Sequence, residues 1–245
     1  MIPRVFVSME NIDDKTAKIV GSDVNYLKNV LRLKVGDEIR VLDSRSKEYS
    51  AKISSINADC VISELIGERH PKSEPKVKVT IAHGIPKNPK MDFVVQKATE
   101  LGVQRIIPII AERTVVKIKP DKKDNKIIRW QKIAKEAAQQ SGRLIIPVVE
   151  EFMEFKDLFL LKNEFDMCIM LWEMEKENTI KKILQEAKDL KRVLVLIGPE
   201  GGFSHEEAET AKCEGFITAT LGTRIVRTET ASIAVLSMFN YEFEL

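Results

Sequence analysis

The chain has 245 residues, of which 44% are hydrophobic and 31% charged, a composition that fits one large or two modest globular domains. Its three cysteines, Cys60, Cys168 and Cys213, are isolated and odd in number, which argues against a disulfide framework and a zinc site. No apolar stretch approaches the roughly 20 residues that span a bilayer, and we recognise no apolar signal region at the start. We therefore expect a cytoplasmic protein without a bound metal.

Residues 2–66 are predicted to form short strands and one helix. Val5–Val7 has the composition of a first strand, and Ser22 can cap a short helix over residues 25–31. Polarity alternates, as in half-buried strands, over three further stretches, residues 38–43, 50–56 and 60–65. We expect a compact, mostly β domain with the architecture of a small barrel. Residues 70–75 contain two prolines and are the best candidate for a linker.

From residue 77 onward, apolar strands alternate with helical patterns. Strands are predicted at residues 77–83, 105–110, 165–172, 193–197 and 217–221. Helices are predicted at residues 91–101, 125–141, 178–188 and 228–241, and a further helix begins at the capping box Ser204–Glu207. The strands are nearly continuous apolar runs, which indicates a parallel sheet covered on both faces. The last helix is apolar almost all round, so we expect it in a core or a subunit interface.

Charge is uneven along the chain, although the formal net charge is only +2. Residues 69–147 carry 18 Lys or Arg against 7 Asp or Glu, whereas residues 148–245 carry 11 against 19. A basic middle segment attracts a polyanion, and RNA or DNA is the obvious one. A solvated lysine-rich face is the alternative that charge alone leaves open.

A glycine-rich segment follows the most apolar strand, and we call Gly198-Pro199-Glu200-Gly201-Gly202 the glycine loop. In open α/β sheets, ligands bind beyond the carboxyl ends of the strands. Three glycines would let backbone groups approach a ligand closely, and the spacing matches neither a P-loop nor a dinucleotide fold. The loop therefore suits a nucleoside-like ligand. A turn that serves only its own geometry is the alternative.

A second loop, residues 221–227, carries two arginines and is called the arginine loop. Arg227 stands just before a predicted helix, so an anion there would meet a guanidinium and free backbone N–H groups. Glu229 in the first turn can simply complement the helix dipole, and Thr228 can act as an N-cap. His83 ends a strand and is expected to be structural, because the three histidines have no metal-binding spacing.

Two long motifs carry a family resemblance. Ile197-Gly-Pro-Glu-Gly-Gly-Phe-Ser204 and Leu221-Gly-Thr-Arg-Ile-Val-Arg-Thr-Glu-Thr-Ala231 together resemble the RsmE family, the 16S ribosomal RNA uracil-N3 methyltransferases of the SPOUT class. Val30–Asp37, Lys90–Gly102 and Arg129–Arg143 look like further signatures of that family. The resemblance covers nearly the whole chain.

The resemblance implies a two-domain α/β architecture. Residues 71–245 would form a SPOUT-type sheet with a deep C-terminal trefoil knot, an exception to the rule against threading. Residues 1–70 would form a PUA-like β-barrel that helps to bind ribosomal RNA. The family is dimeric, so a homodimer with each site near the interface is implied, and the substrate would be 16S rRNA in the small ribosomal subunit.

The resemblance also implies S-adenosylmethionine (SAM), held in a bent shape among three loops. The first loop follows residues 171–173, the second is the glycine loop and the third is the arginine loop. The residues expected to bind SAM are Leu171 and Glu173 at the first loop, Ile197, Gly198, Pro199, Gly201 and Gly202 at the second, and Leu221, Gly222, Arg224, Ile225 and Ala231 in or after the third.

The implied reaction transfers a methyl group to N3 of uracil, which must lose its proton. Glu200 and Glu229 are the candidate proton acceptors, and we leave the choice between them open. Arg224 and Arg227 are candidates to stabilise the anion or clamp a phosphate, and Arg227 is preferred as the essential residue. Backbone phosphates would be held by basic residues along the chain, namely Arg32, Lys34, Arg105, Arg113, Lys117, Lys119 and Arg143.

Two other functions fit the same sequence. One is a SPOUT methyltransferase that acts on transfer RNA or on another ribosomal nucleotide. The other is a non-catalytic RNA-binding assembly factor that has kept the fold.

Overall fold

The computed structural model describes residues 2–71, 73–87, 89–116 and 119–244, with no side chains described for residues 120 and 121. The chain divides into two compact units. The first comprises Met1–Glu74 and Ala138–Ile145, and the second comprises Pro75–Ala137 and Ile146–Leu245. Within the described part of the chain, no helix combines the length and apolar character needed to cross a membrane.

The first unit contains a five-stranded sheet. Its elements are β1 (Arg4–Phe6), β2 (Thr16–Val20), α1 (Ser22–Asn25), β3 (Glu38–Leu42), β4 (Glu48–Ile56) and β5 (Cys60–Arg69). The strand order is β1-β3-β4-β5-β2, and all pairs are antiparallel except β1 with β3. The three strands predicted from alternating polarity are confirmed as β3, β4 and β5. The prediction missed β2, although buried Ala17 and Ile19 alternate with exposed Lys18 and Val20.

The helix of the first unit begins at Ser22, one residue before the start that a Ser22 cap would give. Gly21 is its N-cap, with a φ of 70°, and Ser22 is already helical and makes no side-chain cap hydrogen bond. The prediction of a Ser22 cap was therefore wrong, because glycine adopts the positive φ that turns the chain into the helix. A π-helical turn, Tyr26–Val30, continues the helix and buries Leu27 in the core of this unit.

The second unit contains a seven-stranded sheet covered by helices. Its elements are β6 (Lys78–Gly84), α2 (Lys90–Glu100), β7 (Arg105–Ile110), α3 (Pro120–Ser141), β8 (Val148–Val149), β9 (Met153–Glu154), β10 (Met167–Leu171), α4 (Ile180–Glu186), β11 (Arg192–Ile197), α5 (His205–Cys213), β12 (Ile217–Ala219) and α6 (Thr228–Phe243). The order is β12-β10-β11-β6-β7-β8, and β9 also pairs with β7. Every pair is parallel, which confirms the predicted parallel sheet. The last residues of α3 group with the first unit.

The sheet is apolar because both of its faces are buried. Along β11, Val193, Val195 and Ile197 belong to one core cluster, while Leu194 and Leu196 belong to another. Successive side chains of a strand point to opposite faces, so a strand between two cores has no polar position. The capping box at Ser204 and Glu207 is also confirmed.

The last helix, α6, contributes to a core. Val235, Leu236 and Phe239 are buried in the same cluster as the odd-numbered residues of β11. Asn240 also donates a 3.0 Å hydrogen bond to the carbonyl of Leu101, at the end of α2. Of the two environments expected for this apolar helix, the structure therefore supports the core.

Candidate active site

The three loops expected to form the site follow neighbouring parallel strands. Leu171 at the end of β10 pairs with Ile197 at the end of β11 and with Ala219 at the end of β12. Carboxyl ends of parallel strands lie at the same edge of a sheet. The segment after β10, the glycine loop and the arginine loop therefore start from one edge, which is where ligands bind in open α/β sheets.

The glycine loop is packed tightly against the rest of the second unit. A Cβ atom on Gly198 would lie 3.1 Å from the carbonyl carbon of Gly202, and one on Gly201 would lie 3.0 Å from Cβ of Arg113. Gly202 has a φ of 68°, and a side chain there would collide with the carboxylate of Glu173. Protein atoms occupy the space that these glycines leave free. The alternative that the glycines serve the geometry of the loop thus has direct support.

A buried hydrogen-bond cluster joins the glycine loop to the start of α6. Thr228 Oγ1 donates to the carbonyl of Gly198 at 2.5 Å and lies 3.3 Å from Nε2 of His83. His83 Nδ1 lies 2.7 Å from the carbonyl of Gly84, so Nδ1 carries the proton. Burial lowers the pKa of His83 from 6.5 to about 4. His83 is therefore a neutral, fully buried residue, in agreement with its structural interpretation.

The two candidate proton acceptors face the same ammonium group. Lys90 Nζ lies 3.4 Å from Oε1 of Glu200 and 3.4 Å from Oε2 of Glu229. The backbone N–H of Lys87 also donates to Oε1 of Glu200 at 3.0 Å. Burial alone would raise the pKa of Glu200, but these donors and the Lys90 charge outweigh it, and the pKa is lowered. Glu200 is consequently an ionised carboxylate and a weakened base.

The arginine loop is exposed to solvent, whereas the glycines of the glycine loop are packed against other protein atoms. Arg224, Ile225 and Arg227 are exposed, and Ile225 exposes 85% of its surface. In the part of the chain that the structure describes, neither arginine has an ion-pair partner. Gly222 has a φ of 130°, and a Cβ there would meet nothing within 4 Å. This loop therefore presents two available cations and open space.

The remaining residues expected to bind a cofactor divide into two groups. Glu173 is exposed beside the glycine loop, and Gly201 is exposed within it. Leu171, Ile197 and Ala231 are buried in the core beneath the loops, and Leu221 packs against the same core. Pro199 is buried next to Gly84, whose added Cβ would lie 2.9 Å from the carbonyl carbon of Gly198.

A separate cavity of about 540 Å³ opens beside Trp172 and is lined by Glu175, Lys212 and Thr218 among others. The Glu175 carboxylate accepts hydrogen bonds from three backbone N–H groups, those of residues 176–178, and from the Thr218 hydroxyl. Burial would raise its pKa, but these hydrogen bonds lower it to about 2. The main anionic group of this cavity is thus already satisfied by the protein.

The expected phosphate-binding residues differ in how available they are. Arg32, Lys34, Arg113 and Lys119 are exposed, and Lys117 lies outside the described residues. Arg113 reaches the glycine loop, where Nη1 donates to the carbonyl of Gly201 at 3.2 Å. Arg105 is partly engaged, because its Nη2 lies 3.0 Å from Oε2 of Glu164.

The structure contradicts the expectation that Arg143 binds phosphate. Only 2% of its surface is exposed, and its Nη2 lies 2.7 Å from Oε2 of Glu74. Oε1 of Glu74 also accepts the backbone N–H of Leu144 at 2.7 Å. A buried guanidinium that already neutralises a carboxylate has a structural role, because separating the pair would leave a charge desolvated and unpaired.

The sequence-based prediction missed Lys90 and the Thr228–Gly198 hydrogen bond. Lys90 opens one of the family-like stretches and is the first residue of α2, which was the available signal. Nothing in a local pattern connects it to residues 200 and 229. Only the folded chain brings these three positions together.

Comparison with known proteins defines the class. Residues 72–240 match the family model described as RNA methyltransferase domain, and residues 19–66 match that described as RNA methyltransferase PUA domain. The chain is 36% identical over 234 residues to the ribosomal RNA small subunit methyltransferase E of Bacillus subtilis, covering 94% of this chain and 91% of the relative. It is 31% identical over 242 residues to the ribosomal RNA small subunit methyltransferase E of Rickettsia conorii, covering 96% of this chain and 93% of that relative. The chain belongs to the family of ribosomal RNA small subunit methyltransferases E, which confirms the resemblance.

Solved structures agree with this assignment. The ribosomal RNA small subunit methyltransferase E from Neisseria gonorrhoeae, bound to S-adenosyl methionine, superposes with a TM-score of 0.87 at 28% identity and 98% coverage of both chains. A putative methyltransferase from Legionella pneumophila, in complex with bound SAM, gives a TM-score of 0.89 at 29% identity, again with 98% coverage of both chains.

Proposed function

We propose that this protein is a SAM-dependent methyltransferase that methylates N3 of a specific uridine in the 16S rRNA of the small ribosomal subunit. One observation carries the proposal. The ends of three neighbouring parallel strands meet at one edge of the sheet, where a packed glycine loop adjoins an exposed loop with two available arginines. The relatives named as small subunit methyltransferases, and those solved with SAM, support the same reading.

The residues present fit SAM. Bound SAM would supply a methyl group already activated on a sulfonium. The open side of Gly222 leaves room for close approach, and exposed Glu173 offers a carboxylate for a polar group of the ligand. Leu171, Ile197 and Ala231 form an apolar floor beneath the loops. We propose that the segment after β10, the glycine loop and the arginine loop hold the cofactor.

Arg227 is proposed to act on the uracil or its phosphate. As the N-cap residue of α6, it adds a positive charge where backbone N–H groups of the helix are free. Glu200 and Glu229 face Lys90, and the lowered pKa of Glu200 makes it a poor proton acceptor. In this proposal the N3 proton passes to one of the two candidate acceptors, Glu200 or Glu229, and Arg227 stabilises the uracil anion that forms.

The wider architecture is part of the proposal. We propose a trefoil knot in the SPOUT-type domain at residues 71–245 and a PUA-like β-barrel for RNA binding at residues 1–70. The out-of-sequence strand order β12-β10-β11-β6 and the PUA match over residues 19–66 support these assignments. We also propose a cytoplasmic homodimer. The exposure of Ile225 supports a partner surface near the arginine loop, since large exposed apolar residues often mark interfaces.

RNA binding is proposed to use the exposed basic residues Arg32, Lys34, Arg113 and Lys119, together with Lys117, and with Arg105 in a partial role. Each phosphate contact releases counterions, so affinity should fall steeply with salt. A flat response of affinity between low and moderate salt would contradict a phosphate-tracking surface.

The direct test is product analysis. Purified protein is incubated with SAM and small ribosomal subunits from cells that lack it, and the nucleosides of the 16S rRNA are analysed by mass spectrometry. We expect one 3-methyluridine per subunit. Methylation of another nucleoside would indicate a different RNA methyltransferase, and a protein that fails to bind SAM in calorimetry would be an assembly factor.

A further inference from the structure

One ammonium group connects three distant parts of the second unit. Lys90 is the first residue of α2, Glu200 lies in the glycine loop, and Glu229 lies in the first turn of α6. Nζ of Lys90 is 3.4 Å from each carboxylate. We call this three-residue contact the Lys90 bridge.

The Lys90 bridge lies in a partly buried environment. The side chains of Lys90, Glu200 and Glu229 expose 30%, 29% and 14% of their surface. Oε2 of Glu229 is buried and accepts no hydrogen bond from the residues that the structure describes. Lys90 is thus its main electrostatic compensation. Without the ammonium, two partly desolvated carboxylates would lie near each other without a counter-charge.

The Lys90 bridge acts at the junction of the two loops of the candidate site. Glu200 belongs to the glycine loop itself, and Glu229 lies two residues after Arg227, the N-cap of α6. The only other polar contact described between these segments is the hydrogen bond from Thr228 to the carbonyl of Gly198. Without the Lys90 bridge, this neutral hydrogen bond would be the one remaining described polar contact between the glycine loop and the start of α6.

We propose that Lys90 is a positioning residue, which sets the glycine loop and the helix start that carries Arg227 in the geometry that binds SAM. This inference rests on the proposed function. Lys90 acts through Glu200 and Glu229, and the inference requires no contact of Lys90 with the cofactor or the RNA.

The same helix offers a matched control. Lys97 also lies on α2 and forms a 2.8 Å ion pair with Glu100, three residues away on the same helix. Its side chain is about as exposed as that of Lys90, at 34%. Such a local surface pair contributes little to stability, and it connects no loop of the site. Lys97→Met therefore reproduces the loss of charge and ion pair without the loss of the Lys90 bridge.

The experiment measures SAM binding by calorimetry in the full-length protein. For Lys90→Met we expect SAM to bind about tenfold more weakly. Lys90→Arg, whose guanidinium can contact both carboxylates, should restore binding to within about threefold. Lys97→Met should stay within about twofold of the unaltered protein. Thermal unfolding of each variant confirms that the comparison is made on folded protein.

One further readout separates positioning from a general structural effect. The double variant Lys90→Met/Glu229→Gln removes one of the two repelling charges, so it should bind SAM more tightly than Lys90→Met alone.

The outcomes are distinguishable. If the unaltered protein binds SAM and Lys90→Met binds it within twofold, or if Lys97→Met loses as much affinity, the assignment of Lys90 is overturned while the proposed function stands. No gain in SAM affinity in the double variant over Lys90→Met would also overturn it. If the unaltered protein does not bind SAM, the proposed function fails first.

Discussion

The glycine loop and the arginine loop both follow apolar strands but lie in opposite environments. The glycine loop contains three glycines and one charged residue, whereas the arginine loop contains one glycine and two arginines. In the glycine loop, a side chain added at Gly198, Gly201 or Gly202 would meet protein atoms at short distance. In the arginine loop, Gly222 faces open space and Ile225 is 85% exposed. One loop is therefore part of the packed framework, whereas the other is available to a ligand.

This difference separates two uses of glycine. In the glycine loop the missing side chains allow backbone segments to pack against each other, so substitution should affect stability first. In the arginine loop the charged residues have no described ion-pair partner, so substitution should affect activity first. Substitutions in and around the two loops test this contrast.

The largest effect on stability is expected at Gly84, which packs against the glycine loop. In Gly84→Ala, the new Cβ would lie 2.5 Å from Cδ of Pro199 and 2.9 Å from the carbonyl carbon of Gly198. Backbone atoms must shift to admit it, so we expect unfolding to require about 3 kcal/mol less free energy. Urea denaturation measures this. Gly67→Ala is the control, because its Cβ would meet nothing within 4 Å and should change stability by under ~0.5 kcal/mol.

Arg227 tests the opposite property of the arginine loop. Arg227→Ala should lower the methylation rate by about 100-fold, or ~2.7 kcal/mol of barrier, while leaving the free energy of unfolding nearly unchanged. Single-turnover methylation of small subunits gives the rate. Arg192→Ala, an exposed arginine at the start of β11, serves as the control. A loss of less than about threefold would remove Arg227 from the mechanism.

Thr228 joins the two environments, because its hydroxyl bonds the glycine loop from the first residue of α6. Thr228→Val should cost about 2 kcal/mol, since the carbonyl of Gly198 loses its buried hydrogen-bond donor. Thr228→Ser keeps the hydroxyl and should cost about 1 kcal/mol or less. Equal losses in the two variants would show that the methyl group, and not the hydrogen bond, is what matters.

His83 gives the smallest effect, as a dependence of stability on pH. Its folded pKa of about 4 lies below the ordinary value of 6.5, so the unfolded state binds the proton more readily. The stabilisation is therefore complete above 6.5 and is lost as the pH falls towards 4. Between pH 7 and pH 5.5 the difference in unfolding free energy between wild type and His83→Gln should shrink by about 1 kcal/mol. A difference that stays constant over this range would contradict a buried neutral imidazole.

Local sequence patterns predicted much of the second unit. The apolar runs marked β6, β7, β10, β11 and β12, because strands buried on both faces must be apolar throughout. The patterns failed where a segment is short or irregular, as in β8, β9 and the helical turns of Phe155–Glu164. Phe155 and Leu158 are nevertheless core residues. Their burial depends on contacts with distant elements, which a local period does not record.

Charge was the least reliable guide to the site. Arg143 and Arg227 both belong to family-like motifs, yet one is buried against Glu74 and the other is exposed. Lys90 carries the same charge as many neighbours, but it alone among the described lysines faces both candidate acceptors. A count of charges gives no information about which of them are paired.

Four features could be predicted from the amino-acid sequence: the alternation of strands and helices, the parallel sheet, the capping box at Ser204 and the family. Each depends on residues close together in the chain or on long ordered motifs. The folded chain was needed to show that the glycine loop is packed and the arginine loop exposed, and that Lys90 contacts both Glu200 and Glu229. Burial and ion pairing depend on which distant segments the fold brings within a few ångströms. That information is absent from any single stretch of residues.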